Sequence, residues 1–171
     1  LLADAGSLVW VKALSGIADV GTATAGTDVR IDGGTALLGS GGAGNDITLT
    51  AGGDAVLGTG VAGNNVTLTA GNDATATSAT ATAGNVTLTA GNNATVVTLA
   101  KAGNDVTLKA TNGSAKLTGI GTAGHDILID ATTGTDAVLG TGTAGRDVTL
   151  LAKSDATATS ATATANNVTL T

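Results

Sequence analysis

The chain has 171 residues, 42% of them hydrophobic, and a formal net charge of −6, which together exclude a highly charged disordered tail. It contains 27 Gly and a single Trp but no Cys, Met, Pro, Phe or Tyr, so its core has neither aromatic bulk nor disulfides. Such a core has to be thin and filled with small and β-branched side chains. The balance of 7 Lys and Arg against 13 Asp and Glu disfavours nucleic acid as a partner, and no apolar run is long enough to predict membrane insertion.

A repeat of about twenty residues runs through the chain. Its signature is Ala-Gly-x-Asx-[Val/Ile]-x-[Leu/Ile], as in AGNDITL from Ala43, AGNNVTL from Ala62 and AGNDVTL from Ala102. The β-branched residue of each copy is Val9, Val29, Ile47, Val66, Val86, Val106, Ile127, Val148 or Val168. This spacing predicts one β-solenoid segment over residues 1–171, made of about nine stacked coils.

The coils are not all equivalent along the chain. Residues 1–22 match the repeat least and are interpreted as a degenerate first coil that carries Trp10 and Lys12. Residues 52–89 realign on 134–171 with a shift of 82, and both segments contain DATATSATATA. Four coils therefore form a duplicated block.

Each coil is predicted to contain three short strands. In the first strand, Val66 and Leu68 point inward while Thr67 and Thr69 point outward. The second strand starts with an inward Ala, and the third, such as 59–62 or 80–83, ends at an Ala-Gly corner where glycine permits positive φ. Three strands per coil favour a parallel β-helix of triangular section. We expect it to be right-handed, because crossovers between parallel strands almost always are.

These repeats resemble the shaft repeats of filamentous haemagglutinin-like adhesins. The resemblance rests on tandem repeats near twenty residues long with VTLTAGxDA-like strands, rich in Gly, Ala, Thr and Asn and free of Cys, over nearly the whole chain. It implies a large exoprotein of Gram-negative bacteria, exported by two-partner secretion, whose right-handed β-helical shaft projects adhesive or toxic regions from the cell.

An Asx residue precedes the β-branched residue in most coils. The favoured interpretation is capping of the turn in which each side chain sits, and the alternative is a calcium site. The calcium candidates are Asp105, Asp126 and Asp147, which would stack at about 4.8 Å and repel one another without a cation between them. The column consists of Asp28, Asp46, Asn65, Asn85, Asp105, Asp126, Asp147 and Asn167.

Catalysis has little support in the sequence. His125 is the only histidine, and Asp126, Asp130, Asp136 and Arg146 are the charged residues that would surround it. His125 has neither flanking long loops to wall a cleft nor flanking aromatic rings to stack on a sugar. We predict neither an enzyme nor a bound cofactor.

Outward threonines are predicted to form two neighbouring ladders, an arrangement that resembles ice-binding solenoids. Trp10 should also point outward, either as a lateral contact or beneath a preceding segment. The ladders are Thr48, Thr67, Thr87, Thr107, Thr149 and Thr169, and Thr50, Thr69, Thr89 and Thr171. They are interrupted by Arg30, Asp32, Lys109, Leu128, Asp130 and Leu151.

The predicted function is that of a structural shaft in a secreted, surface-exposed, adhesin-like bacterial protein. Nine coils at about 4.8 Å would give a rod of roughly 43 Å. The alternative is a segment of a self-assembling extracellular filament, and the third is ice binding. Expected partners are neighbouring coils of a longer chain or identical chains end to end, with a host or neighbouring cell reached through other regions.

Overall fold

The computed structural model describes residues 2–171, which form eighteen β-strands in two parallel sheets of nine strands each. One sheet holds β1 (Leu2–Ala5), β3 (Ile17–Ala25), β5 (Thr35–Ala43), β7 (Ala55–Ala62), β9 (Ala74–Ala81), β11 (Ala94–Ala102), β13 (Ala115–Ala123), β15 (Ala137–Ala144) and β17 (Ala156–Ala163). The other holds β2 (Val9–Lys12), β4 (Val29–Gly33), β6 (Ile47–Ala51), β8 (Val66–Ala70), β10 (Val86–Ala90), β12 (Val106–Ala110), β14 (Ile127–Ala131), β16 (Val148–Ala152) and β18 (Val168–Leu170). Strands alternate between the two sheets along the chain.

The described residues build a β-solenoid, as the repeat predicts. Each strand pairs in parallel with the strand one coil away, so that Val86 stands between Val66 and Val106 in strict register. The stack makes about eight turns with strands about 20 residues apart. The all-β, parallel fold class is therefore confirmed.

Each coil contains two hydrogen-bonded strands instead of the three that the sequence predicts. The second and third stretches merge into one long bent strand, as in β7, where the inward-outward alternation changes phase between Leu57 and Gly60. Leu57 and Gly60 are both buried, while Gly58 and Thr59 between them are not. The bend divides the long strand into two faces, and β8 supplies the third. The prediction of a separate third strand was wrong, because hydrogen bonding continues around this corner. The predicted end at residue 83 was also wrong, since β9 ends at Ala81.

The interior is a stack of aliphatic side chains that follows the predicted inward columns. On the short strands, residues such as Val66, Leu68 and Val86 are fully buried. On the long strands, Ala and the apolar residue two positions later are buried from Ala18 and Val20 up to Ala137 and Leu139. The inward residues of the short and long strands thus pack against one another in a single hydrophobic core.

The corner glycines have a different role from the predicted one. Among the described residues, only Gly16 has positive φ, at 98°. The corner residues are glycine because a Cβ on Gly124 would overlap the carbonyl oxygen of Gly103 in the preceding coil, and Gly145 stands in the same relation to Gly124. At these two glycines, close stacking of one corner on the next, rather than backbone conformation, leaves no room for a side chain.

Residues 2–171 contain no helix with the length and apolar character needed to cross a membrane.

Candidate functional site

The Asx column predicted at one corner is a continuous hydrogen-bonded ladder between coils. Oδ1 of Asn85 accepts the backbone amide of Asp105 at 3.0 Å, and Oδ1 of Asp105 accepts that of Asp126 at 3.1 Å. The same bond joins every successive pair of the column from Asp28 to Asn167. The expectation that each side chain caps its own turn was wrong. Coils lie close enough for each Asx oxygen to reach the corner amide of the next coil.

An arginine occupies the acidic part of this ladder. Asp105, Asp126 and Asp147 line a shallow groove of about 320 Å³ on the short-strand face. Nη2 of Arg146 forms an ion pair with Oδ2 of Asp126 at 2.6 Å, and its Nε donates to Oδ1 at 3.2 Å. The positive charge of Arg146 thus partly neutralises the carboxylates that stacking brings together.

The contacts of Asp126 favour its ionised form. The hydrogen bond from Arg146 is the main cause of a pKa below the ordinary aspartate value, and desolvation opposes it. The backbone amide of Asp147 and the charges of Arg146 and His125 lower the pKa further. The carboxylate of Asp126 therefore already accepts hydrogen bonds from Arg146 and from the amide of Asp147.

The calcium interpretation stays a prediction. Over residues 2–171, no group of three or more His, Asp or Glu side chains is arranged to hold a metal ion. Asp105, Asp126 and Asp147 share the groove, but their Oδ1 atoms are engaged by the amides of the following coil. A cation would have to use the remaining oxygens.

A second polar ladder lies at the next corner, and the sequence interpretation missed it. Oδ1 of Asp54 accepts the amide of Asp73, Oδ1 of Asp73 accepts that of Asn93, and Oδ1 of Asn93 accepts that of Ser114. The signal was present in the sequence: these residues directly precede the inward Ala of the long strand, just as the first column precedes the β-branched residue. Two corners of each central coil are therefore tied by side chains.

The residues considered for catalysis are distributed among separate local contacts. His125 is exposed on a turn, and Asp126 pairs with Arg146. Asp130 lies 3.5 Å from Nζ of Lys109 and accepts hydrogen bonds from Thr132. Each carboxylate is thus held by a neighbour of its own, and the groove beside Asp126 is shallow.

Trp10 anchors a small polar cluster on the outer face. It points outward as predicted, with 56% of its surface exposed. Its Nε1 donates to Oδ2 of Asp32 at 2.8 Å, and the guanidinium of Arg30 and the ammonium of Lys12 lie 5.6 and 5.9 Å from the ring centroid. Arg30 also forms an ion pair with Asp32 at 2.8 Å. Two cations and one carboxylate thus fix the indole against its own sheet.

Partial burial raises the pKa of Asp32, but hydrogen bonds from Arg30 and Trp10 lower it more, and the result lies below the ordinary value. Asp32 nevertheless keeps one buried oxygen, Oδ1, without a partner in the described structure. Lys12 and Thr50 are the register partners of Asp32 in the two adjacent strands.

The predicted threonine ladders exist on the outer face of the short-strand sheet. Thr67 stands between Thr48 and Thr87 in register, and Thr69 stands between Thr50 and Thr89. Thr149 and Thr169 pair beyond Leu128, whereas Thr171 follows the last strand. The interruptions divide the ladders into a larger and a smaller patch.

Comparison with known proteins gave no assignment: no protein-family model, no curated protein and no solved structure matches the chain. The solenoid fold is compatible with a β-helical repeat protein, but no family match supports the resemblance to filamentous haemagglutinin-like adhesins.

Proposed function

We propose that this chain is a rigid structural shaft or spacer. One observation carries the proposal: both nine-stranded sheets run in parallel register from one end of the described residues to the other, without a missing strand. Because every coil repeats the preceding one, adding or removing coils changes the length of the rod and leaves its cross-section the same.

The connections between strands strengthen this proposal, because they pair from coil to coil as well. The amide of Asn64 donates to the carbonyl of Asn45 at 2.8 Å, and that of Val66 donates to the carbonyl of Asn85 at 2.9 Å. The Asx ladder adds a side-chain bond at the same corner. Bending the rod would require breaking bonds on the sheets and on the corners together, so the expected mechanical property is stiffness.

The proposed setting is a secreted, surface-exposed protein of the adhesin type. It rests on the resemblance of the repeats alone, and the solenoid is compatible with it. In that setting the chain carries no chemistry of its own and spaces other regions from the cell surface.

The experiment is to lengthen the rod by one coil. Residues 66–85 form one complete turn, since Val66 pairs with Val86, so an extra copy inserted after Asn85 keeps the register. Small-angle X-ray scattering should show the rod lengthening by about 4.8 Å per inserted copy at constant cross-section.

A control insertion separates shaft growth from added mass. A Gly-Ser segment of equal length at the same corner should leave the rod length unchanged and broaden the cross-section. Equal scattering profiles for the two insertions, or no lengthening with the coil copy, would contradict the proposal.

A second candidate function is assembly of copies into a filament. Every coil pairs with the next through parallel strands of both sheets, and the same pairing between the coils of two copies would continue both sheets. Electron microscopy of the 171-residue chain at several concentrations distinguishes the candidates. Discrete short rods favour the shaft, whereas filaments that lengthen with concentration favour assembly.

A further inference from the structure

Seven threonines form a continuous patch on the outer face of the short-strand sheet, here named the threonine grid. They belong to strands β6, β8, β10 and β12. The grid consists of Thr48, Thr50, Thr67, Thr69, Thr87, Thr89 and Thr107.

The grid repeats in two directions. Along the solenoid axis, Thr48, Thr67, Thr87 and Thr107 are register partners in successive strands, so their spacing is the strand separation of about 4.8 Å. Along each strand, the two threonines are two residues apart, which corresponds to about 6.6 Å. All seven side chains are at least partly exposed to solvent. The face therefore offers hydroxyl groups on a nearly rectangular net.

Hydrogen-bonded water has matching distances. Two oxygens bonded to one water at about 2.75 Å, with tetrahedral angles, lie about 4.5 Å apart. Two waters in an extended tetrahedral chain span about 6.9 Å between the oxygens at either end, by the same bond length. Both distances agree with those of the grid to within about 0.3 Å. One water can therefore bridge hydroxyls between coils, and two waters can bridge them along a strand.

The residue type also favours an ordered water layer. Threonine is β-branched and restricted at χ1, so identical residues in identical strand environments present their hydroxyls in the same direction. No charged residue lies within the grid. The charges at its borders are Arg30 and Asp32 on one side, Lys109 on the other, and the corner residues Asp46 and Asp105 beside Thr48 and Thr107. Charged groups would orient water around themselves and disturb the lattice, and the grid has none.

We propose that the threonine grid orders a layer of water in an ice-like lattice and thereby binds the surface of ice crystals. The proposal concerns a surface activity of the rod and is independent of its role as a shaft. The grid is small, so the expected effect is slowed growth and recrystallisation of ice.

The test compares two single lysine substitutions that the fold already accommodates. Thr69→Lys places a charge in the middle of the grid, in the column where β12 naturally has Lys109. Thr95→Lys is the matched control on the long-strand sheet, where the register partner of Thr95 is Lys116. Both variants add one positive charge, and both should keep the unfolding temperature of the unsubstituted chain.

The measurement is the coarsening rate of polycrystalline ice in the presence of the 171-residue chain, with sedimentation velocity in parallel. We expect the unsubstituted chain and Thr95→Lys to slow coarsening equally. Thr69→Lys should need about tenfold more protein for the same effect, equivalent to about 1.4 kcal/mol. Coarsening at the rate of buffer alone, or equal activity of the two variants, would overturn the proposal. The proposal would also be overturned if the unsubstituted chain sedimented as a dimer and Thr69→Lys as a monomer, because the grid would then be a contact between copies.

Discussion

Leu57 and Gly60 share one layer of the solenoid interior, and a Cβ atom on Gly60 would lie 2.8 Å from Cδ2 of Leu57. The same relation joins Leu38 with Gly41 and Leu117 with Gly121. In coils where the first residue is smaller, the second is alanine, as in the pairs Val20 and Ala23, Ala76 and Ala79, and Val96 and Ala100. The two positions thus share a fixed volume across the bend of the long strand.

This relation predicts a compensating pair of substitutions. Gly60→Ala alone should reduce the free energy of unfolding by about 1–3 kcal/mol through overpacking, and Leu57→Ala alone by about 2–5 kcal/mol through the cavity it leaves. The double variant should lose less than the sum, since it reproduces the natural pair Ala76 and Ala79. Denaturant unfolding of the four proteins measures the coupling, and strictly additive losses would contradict shared volume.

The corner glycines predict a large effect from one methyl group. Gly124→Ala would push Cβ into the carbonyl oxygen of Gly103, which is backbone and cannot move without separating the coils. We expect a loss of more than about 3 kcal/mol or a failure to fold. Gly42→Ala is the control, because nothing lies within 4 Å of its Cβ position. Similar unfolding temperatures for the two variants would show that coil contact does not select glycine.

The Asx ladder predicts a test of the side-chain acceptor. Asn85→Ala leaves the amide of Asp105 without the oxygen that accepts it at 3.0 Å, and should cost about 1–3 kcal/mol of unfolding free energy. Asn85→Asp keeps an acceptor at the same place and should lose clearly less. Chemical denaturation at pH 7 measures both, and equal losses would argue that the ladder bond contributes nothing.

The pair Asp126 and Arg146 predicts loss of stability in acid. The hydrogen bond from Arg146 lowers the pKa of folded Asp126, so its ionised form stabilises the fold above the unfolded pKa of about 3.9. This contribution disappears as the pH falls below about 4 and through the folded pKa. Arg146→Gln should therefore flatten the fall of the unfolding temperature below about pH 4. Lys101→Gln, which removes an exposed charge from the other sheet, should leave the slope as it is.

Chelation tests the calcium interpretation of Asp105, Asp126 and Asp147. Because Arg146 and the corner amides already engage these carboxylates, we expect the unfolding temperature to be the same in calcium and in excess chelator. A fall of several degrees on chelation would contradict this expectation and would establish a cation in the groove. Repeating the measurement with Asp126→Asn would then assign the site.

The sequence alone determined the repeat, the parallel stacking and most of the inner columns. Inward Val66 and Leu68 and outward Thr67 and Thr69 follow from alternation, and repetition at nearly constant spacing aligns them with equivalent residues of the next coil. These properties depend only on whether each residue is apolar or polar and on the length of the repeat, so the sequence is enough to predict them. The Asx column was visible for the same reason, although the partner of each side chain was not.

Contacts across coils were decided only by the tertiary structure. The sequence shows that Asn85 directly precedes a strand, but not that its oxygen accepts the amide of Asp105 in the following coil rather than one in its own turn. It shows a glycine at position 124, but not that the carbonyl of Gly103 fills the space a side chain would need. Nor does it show Arg146 reaching Asp126, one coil away. The physical reason is that a period fixes which residues stack, whereas the distance between stacked backbones and the direction of each side chain depend on how the whole coil closes.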